Sequence, residues 1–166
     1  MASDDQDYQA HLTFTAAPAA VFDALTTLPG LAAWWTATVT GNGGQGGQLR
    51  FFFGDDVPTI MAVDIAAPAT LVQWTCLGYE HLLDWAGTTI TFALSPADGG
   101  GTELAFRHRG LTPRLECFEM CRSGWDHYLP SLRRHTDTGA GDPWGSDADL
   151  ARRAERGRAR AVPTGA

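Results

Sequence analysis

Among the polar side chains of this 166-residue sequence, His108 has the strongest claim to chemistry. It follows Leu104 and Phe106 at intervals of two, so in a strand it shares their face and turns inward. An inward imidazole can orient the polar end of a ligand or act as a general base. It can equally be a histidine hydrogen-bonded within the fold. No partner carboxylate presents itself, so the catalytic set is unassigned and His108 is its one candidate. Cys117 and Cys121 lie four apart, on one side of a helix, with His127 further along. Strong zinc patterns use close Cys pairs or paired His ligands, which this spacing does not reproduce, so neither metal nor cofactor is expected. Glu116 and Glu119, beside Arg114, fall where a helix begins, and carboxylates there favour its dipole. Tyr79, His81 and Asp84 read as exposed hairpin polarity, with the mouth of a cavity as the alternative. The glycine-rich stretch 41–47 lacks the Gly-Lys-Ser/Thr ending of a phosphate loop. No Gly-x-Ser-x-Gly nucleophile elbow occurs.

Composition narrows the classes. The chain carries 12 basic residues, all Arg, against 19 acidic ones, a net charge of −7. Five of those Arg lie in residues 150–166 against one acid, Glu155. Residues 1–149 therefore hold seven basic and eighteen acidic groups, a net −11. An acidic body disfavours nucleic acid as a partner, because phosphate binding needs a basic face. Five Arg in a polar tail give only weak attraction at physiological salt, so a solvated tail is expected. No apolar run approaches the length of a membrane span. Three cysteines, Cys76, Cys117 and Cys121, with no secretion-signal pattern, point to reduced thiols in a cytoplasmic protein.

The elements that must position these residues follow from periodicity. Residues 8–15 alternate as a first strand. Pro18 then suits the first turn of a helix carrying Val21, Phe22, Leu25 and Leu28 on one face. Pro29-Gly30 should break it, and a short second helix or turn ends in Trp34-Trp35. Strands are expected at 48–53, 59–65, 71–77, 88–94 and 102–108, joined as an antiparallel meander. Thr112 and Pro113 should start a long helix whose stripe is Leu115, Phe118, Cys121, Trp125, Leu129 and Leu132, kinked at Pro130. The stretch 138–166 reads as a polar, Arg-rich tail, with a short helix at 147–156, outside a domain of residues 8–137.

Read in order, the motifs resemble a known superfamily. They are Val21-Phe22-Asp23-Ala24-Leu25 with Trp34-Trp35, Gly46-Gly47-x-Leu49-Arg50-Phe51, and Leu71-Val72-x-Trp74. Trp85-x-Gly87-Thr88-x-Ile90-x-Phe92 and Gly101-Thr102-x-Leu104-x-Phe106-x-His108-x-Gly110 follow, and Gly124-Trp125-x-x-x-Leu129-x-x-Leu132 closes the series. The set, over about residues 9–135, resembles the START-like (SRPBCC) superfamily. The branch is the one similar to the activator of heat-shock-protein-90 ATPase, in its C-terminal-domain type. The resemblance implies an α+β helix-grip fold: a curved antiparallel sheet wrapped around a long C-terminal helix, with a cavity between them. Members include lipid and hormone binders, aromatases and cyclases, co-chaperones and self-resistance proteins, so the fold alone does not fix the activity.

Alternation assigns Phe51, Phe53, Met61, Val63, Val72, Trp74, Cys76, Ile90, Phe92, Leu104, Phe106 and His108 to the concave face, met by Phe118, Cys121 and Trp125 from the helix. Residue by residue, such a stripe is more often core than site. With the implied cavity, the ligand-binding set becomes Phe51, Phe53, Met61, Val63, Trp74, Cys76, Phe92, Phe106, His108, Phe118, Cys121 and Trp125. This aromatic and sulfur-rich lining suits a hydrophobic, aromatic or polycyclic small molecule, with Tyr128 or Tyr79 helping His108 orient it. The expectation is therefore a binding protein. The alternatives are an aromatase or cyclase acting on a polyketide-like substrate, and a co-chaperone-like or self-resistance protein with a protein partner.

Overall fold

The computed structural model describes residues 6–54, 56–78 and 85–161, with backbone only at 153 and 156–161. Seven strands form one antiparallel sheet in the order β1-β7-β6-β5-β4-β3-β2. They are β1 (Tyr8–Phe14), β2 (Thr38–Gly41), β3 (Gln48–Phe52), β4 (Thr59–Ala67), β5 (Leu71–Gly78), β6 (Thr89–Pro96) and β7 (Thr102–Arg109). Two short helices, α1 (Pro18–Thr26) and α2 (Leu28–Trp34), follow β1. The long α3 (Phe118–Thr138) follows β7, and α4 (Asp147–Ala161) comes last. This is the α+β helix-grip architecture.

Side-chain alternation decides the sheet's faces. In β3, β5, β6 and β7 buried residues recur at every second position. Phe51, Met61, Val63, Val72, Trp74, Cys76, Ile90, Phe92, Leu104, Phe106 and His108 are all buried on the concave side, while Phe53 is partly buried. The helical stripe holds as well. Cys121, Trp125, Leu129 and Leu132 are buried on α3, with Leu115 and Phe118 packed against the core. Between the two layers the rings meet one another directly. Trp35 stacks on Trp74 at 5.8 Å and on Trp34 at 5.7 Å, Trp74 meets Phe92 edge-on at 5.1 Å, and Phe106 lies 4.7 Å from Trp125. Such contacts contribute beyond the apolar area they bury.

Three local expectations are corrected. First, residues 38–41 form a seventh strand; with one apolar side chain, Val39, it is too short to show a period of two. Second, Pro29-Gly30 lies inside the first turn of α2 rather than breaking the chain. Pro is tolerated there, and the Thr27 hydroxyl accepts from the Gly30 N–H at 3.1 Å. A Cβ on Gly30 would come within 2.7 Å of the Ala24 Cα, so only glycine lets α2 sit this close to α1. Third, α3 begins at Phe118, not at Pro113; residues 112–118 wind through turns closed by Leu115 N–H to Thr112 O and Phe118 N–H to Leu115 O. Glu116 therefore precedes the helix. Pro130 lies inside α3, which ends at Thr138, and Gly139, with a φ of 85°, supplies the left-handed cap.

The helices tie back to the sheet through polar contacts. The Asp137 carboxylate accepts the backbone N–H groups of Thr15 and Ala16 at 3.2 and 3.0 Å, fixing the entry into α1. The Trp34 indole donates to the Ala24 carbonyl at 2.8 Å. Phe92, fully buried where these layers meet, tests the packing. Phe92→Ala should cost about 3–5 kcal/mol of unfolding free energy, read from urea denaturation. A loss under about 1 kcal/mol would show a loosely filled core.

Candidate functional site

The site is built around a hydrogen-bond chain that starts on α3. The Trp125 indole N–H donates to His108 Nδ1 at 3.0 Å. An indole can only donate, so Nδ1 must be the unprotonated nitrogen and Nε2 carries the hydrogen. Nε2 lies 2.9 Å from the Thr88 hydroxyl, which itself donates to the Trp85 carbonyl at 2.7 Å. Every member is buried, and His108 is 0% exposed. Both ring nitrogens are thus committed within the fold, which is the structural role that the sequence left open. Burial pushes the His108 pKa down to about 3, with the Asp7 carboxylate opposing the shift.

This chain fixes two indoles. The Trp85 ring lies parallel to Trp125 at 6.2 Å and edge-on to His108 at 4.8 Å, and its N–H points to Cys121 Sγ at 3.1 Å. On their outer side is a recess of about 310 Å³. It is lined by Trp35, Phe53, Thr59, Trp85, Met120, Cys121, Gly124, Trp125, Tyr128 and Trp144. Four of the chain's six tryptophans border it. The volume is at the small end of the roughly 300–1,000 Å³ range of small-molecule pockets. Gly124 makes room for it, because a Cβ added there would meet nothing within 4 Å.

The sequence-derived binding set divides at this boundary. Phe53, Cys121 and Trp125 line the recess. Phe51, Met61, Val63, Trp74, Cys76, Phe92, Phe106 and His108 are buried behind it, and Phe118 packs against the core without bordering it. Alternation identifies the inward face correctly, but ring-on-ring packing fills most of that face. Burial also raises the Cys76 thiol to about 11. Glu119 faces outward and pairs with Arg122 at 2.6 Å. The His127 ring is engaged by the Asp142 carbonyl at 3.1 Å. Among the described residues no three His, Cys, Asp or Glu side chains cluster in a way that could hold a metal. Tyr79, His81 and Asp84 lie outside the described residues.

Sequence reasoning did not nominate Trp35, Thr59, Trp85, Met120, Gly124 or Trp144. Gly124 lies three residues beyond Cys121 and Tyr128 seven, so α3's periodicity carried a signal for both. Trp144 had no periodic context, only the oddity of a tryptophan in a polar stretch. That stretch is not solvated where it passes the recess. The Ala37 N–H donates to the Trp144 carbonyl at 2.9 Å, and the Trp144 N–H to the Trp35 carbonyl at 2.8 Å. Thr36 and Trp144 form a parallel bridge, and Asp142 and Asp149 are buried. The short helix expected at 147–156 extends to Ala161.

A sheet curved around one long helix, with an aromatic recess at the helix's flank, defines a START-like (SRPBCC) domain. Comparison with known families agrees. The profile of the Activator of Hsp90 ATPase homolog 1-like protein family matches residues 15–137, and the chain belongs to that family. The solution structure of the Aha1 dimer from Colwellia psychrerythraea is similar at 27% identity and a TM-score of 0.72, covering 82% of this chain and 99% of that one. CalU16 from Micromonospora echinospora shares the fold at 18% identity and a TM-score of 0.61, covering 91% of this chain and 83% of that one. DynU16, from the dynemicin biosynthetic locus, does so at 21% identity and 0.62, covering 80% of this chain and 48% of that one. A comparison with curated proteins finds no match. No helix among the described residues is long and apolar enough to cross a membrane.

The buried imidazole makes stability depend on pH. Its folded pKa of about 3 lies below the ordinary 6.5, so the unfolded state binds the proton more readily. The contribution is fully present above about pH 6.5 and is lost as pH falls toward 3, by at most about 1.4 kcal/mol per pH unit. Unfolding free energies at pH 7 and pH 5 should show this loss. His108→Gln should lower stability at pH 7 and flatten the dependence. An unchanged slope would mean that another group carries it.

Proposed function

We propose that this protein binds a hydrophobic, aromatic small molecule in the recess between α3, the start of β4 and the Trp144 segment. The observation that carries this reading is the convergence of Trp35, Trp85, Trp125 and Trp144 on one open volume. Flat rings gain most from such walls through apolar burial and offset or edge-on ring contacts. The lining's polar side chains are the Thr59 and Tyr128 hydroxyls and the Cys121 thiol, enough to orient one polar end of a ligand. His108 acts here through Trp125, whose plane it holds, rather than by touching the ligand.

Binding is favoured over cyclase-type catalysis by the same inventory. Catalysis would call for acid and base groups converging on the open volume, and the strongest candidate base has both nitrogens occupied behind the wall. In this reading the binding domain is residues 8–137, and the segment after it contributes part of the rim. Cys76, Cys117 and Cys121, all buried and in no disulfide, support a reducing, cytoplasmic setting.

Gly124 gives a clean test, because it lines the recess yet sits mid-helix with open space at its Cβ. Calorimetric titration with 2-naphthol should show saturable 1:1 binding to the unaltered chain. Gly124→Leu should abolish it while leaving the melting temperature equal or higher, since replacing a mid-helix glycine gains roughly 0.5–1 kcal/mol. If Gly124→Leu binds the probe as well as the unaltered chain, the recess is not the site.

A further inference from the structure

The recess has one wall from outside the family's domain. The family profile ends at residue 137, and Trp144 comes after it. Residues 139–152 form a strap anchored at several points. Gly139 turns the chain off the end of α3, and Gly141 passes so close to α2 that a Cβ there would meet the Ala33 carbonyl at 2.3 Å. Asp142 is the main anchor. Its N–H donates to the Ser131 hydroxyl at 2.7 Å, and that hydroxyl donates to the Trp34 carbonyl at 2.8 Å. Its carboxylate takes Arg152 at 2.6 Å, with Arg134 at 3.5 Å and His127 at 3.6 Å. The Arg152 and Arg134 guanidinium groups hold the carboxyl below the usual carboxylate range against the opposing effect of burial.

Two residues beyond that anchor, the Trp144 backbone bonds with residues 35 and 37 set its ring over the recess. The ring meets Phe53 edge-on at 6.1 Å and presses against Gly54, where a Cβ would come within 2.8 Å of it. The other three indoles belong to the core: Trp35, Trp85 and Trp125 are at most 7% exposed and bonded or stacked on several sides. Trp144 is the one tryptophan wall that can be changed without opening that core.

We infer that the strap is the specificity element of the site: Trp144 sets the size of the aromatic ligand admitted, and Asp142 positions Trp144. This inference rests on the binding reading above and names what selects the occupant. A small fused-ring compound fits beneath the Trp144 ring, while a larger one requires that wall to be absent or displaced. Asp142 touches no ligand and acts only by holding the strap in place.

The test compares two fluorescent probes that share a hydroxyl and differ in ring area, 2-naphthol and 1-hydroxypyrene, each titrated by its own emission. The unaltered chain should prefer 2-naphthol by at least about tenfold, an order of magnitude that about 1.4 kcal/mol of steric mismatch produces. Trp144→Ala should reduce that ratio to near one or invert it, chiefly by improving 1-hydroxypyrene binding. Asp142→Asn should move the ratio in the same direction, which a role in stability alone would not do. Trp144→Leu serves if the alanine variant does not fold. A ratio unchanged by the Trp144 variants, or no preference in the unaltered chain, overturns the inference while binding itself stands. A shift on Trp144→Ala without one on Asp142→Asn overturns the positioning role. Failure of the unaltered chain to bind either probe overturns the binding reading and this inference together.

Discussion

The indole N–H of Trp125 is the group on which the rest of the arrangement turns. It can donate but not accept, so its bond to His108 sets the direction of every bond after it, through Nε2 and Thr88 to the Trp85 carbonyl. Breaking any link would strand a buried polar group at a cost of about 1–3 kcal/mol. The chain joins three elements that no covalent connection brings together: the middle of α3, the end of β7 and the residues leading into β6. Its outcome is geometric, because two indoles lie parallel with a fixed gap, and the recess begins at their outer faces.

The interior explains why the recess is where it is. A curved sheet around one helix leaves space between them, and here aromatic side chains occupy most of it. Trp74, Phe92, Phe51 and Phe106 come from the sheet, and Trp34 and Trp35 come from the short helix opposite. The open volume of the recess lies toward one flank of α3, where Gly124 contributes no side chain and the rings of Phe53 and Trp144 form the far side. Small recess and dense core are therefore two sides of the same packing.

Period-two alternation made the sheet legible, because six of the seven strands bury one face, and the seven-residue or longer elements show it several times over. Thr38–Gly41 has one apolar side chain and no such signal. The stripe on α3 was legible from Leu115 to Leu132, yet its start was misplaced, since Thr112 and Pro113 suit a turn as well as a helix. For His108, alternation revealed the side of the sheet but not the partners. Those come from Trp125 and Thr88, 17 and 20 positions away in sequence. Trp144 was illegible for a related reason. Its neighbours Asp142, Asp149 and Arg152 look like solvated charge until their mutual pairing is seen.

Gly124 carries a consequence for how this protein would respond to selection. A glycine in mid-helix leaves on the order of 1 kcal/mol of helix stability unused. Here that sacrifice coincides with a place where a side chain would close the recess. Thermal screening or consensus-style engineering rewards filling such a position. A laboratory lineage evolved for heat tolerance alone would therefore drift toward a sturdier protein with its aromatic recess sealed, and only a counter-selection on ligand capture would keep the glycine.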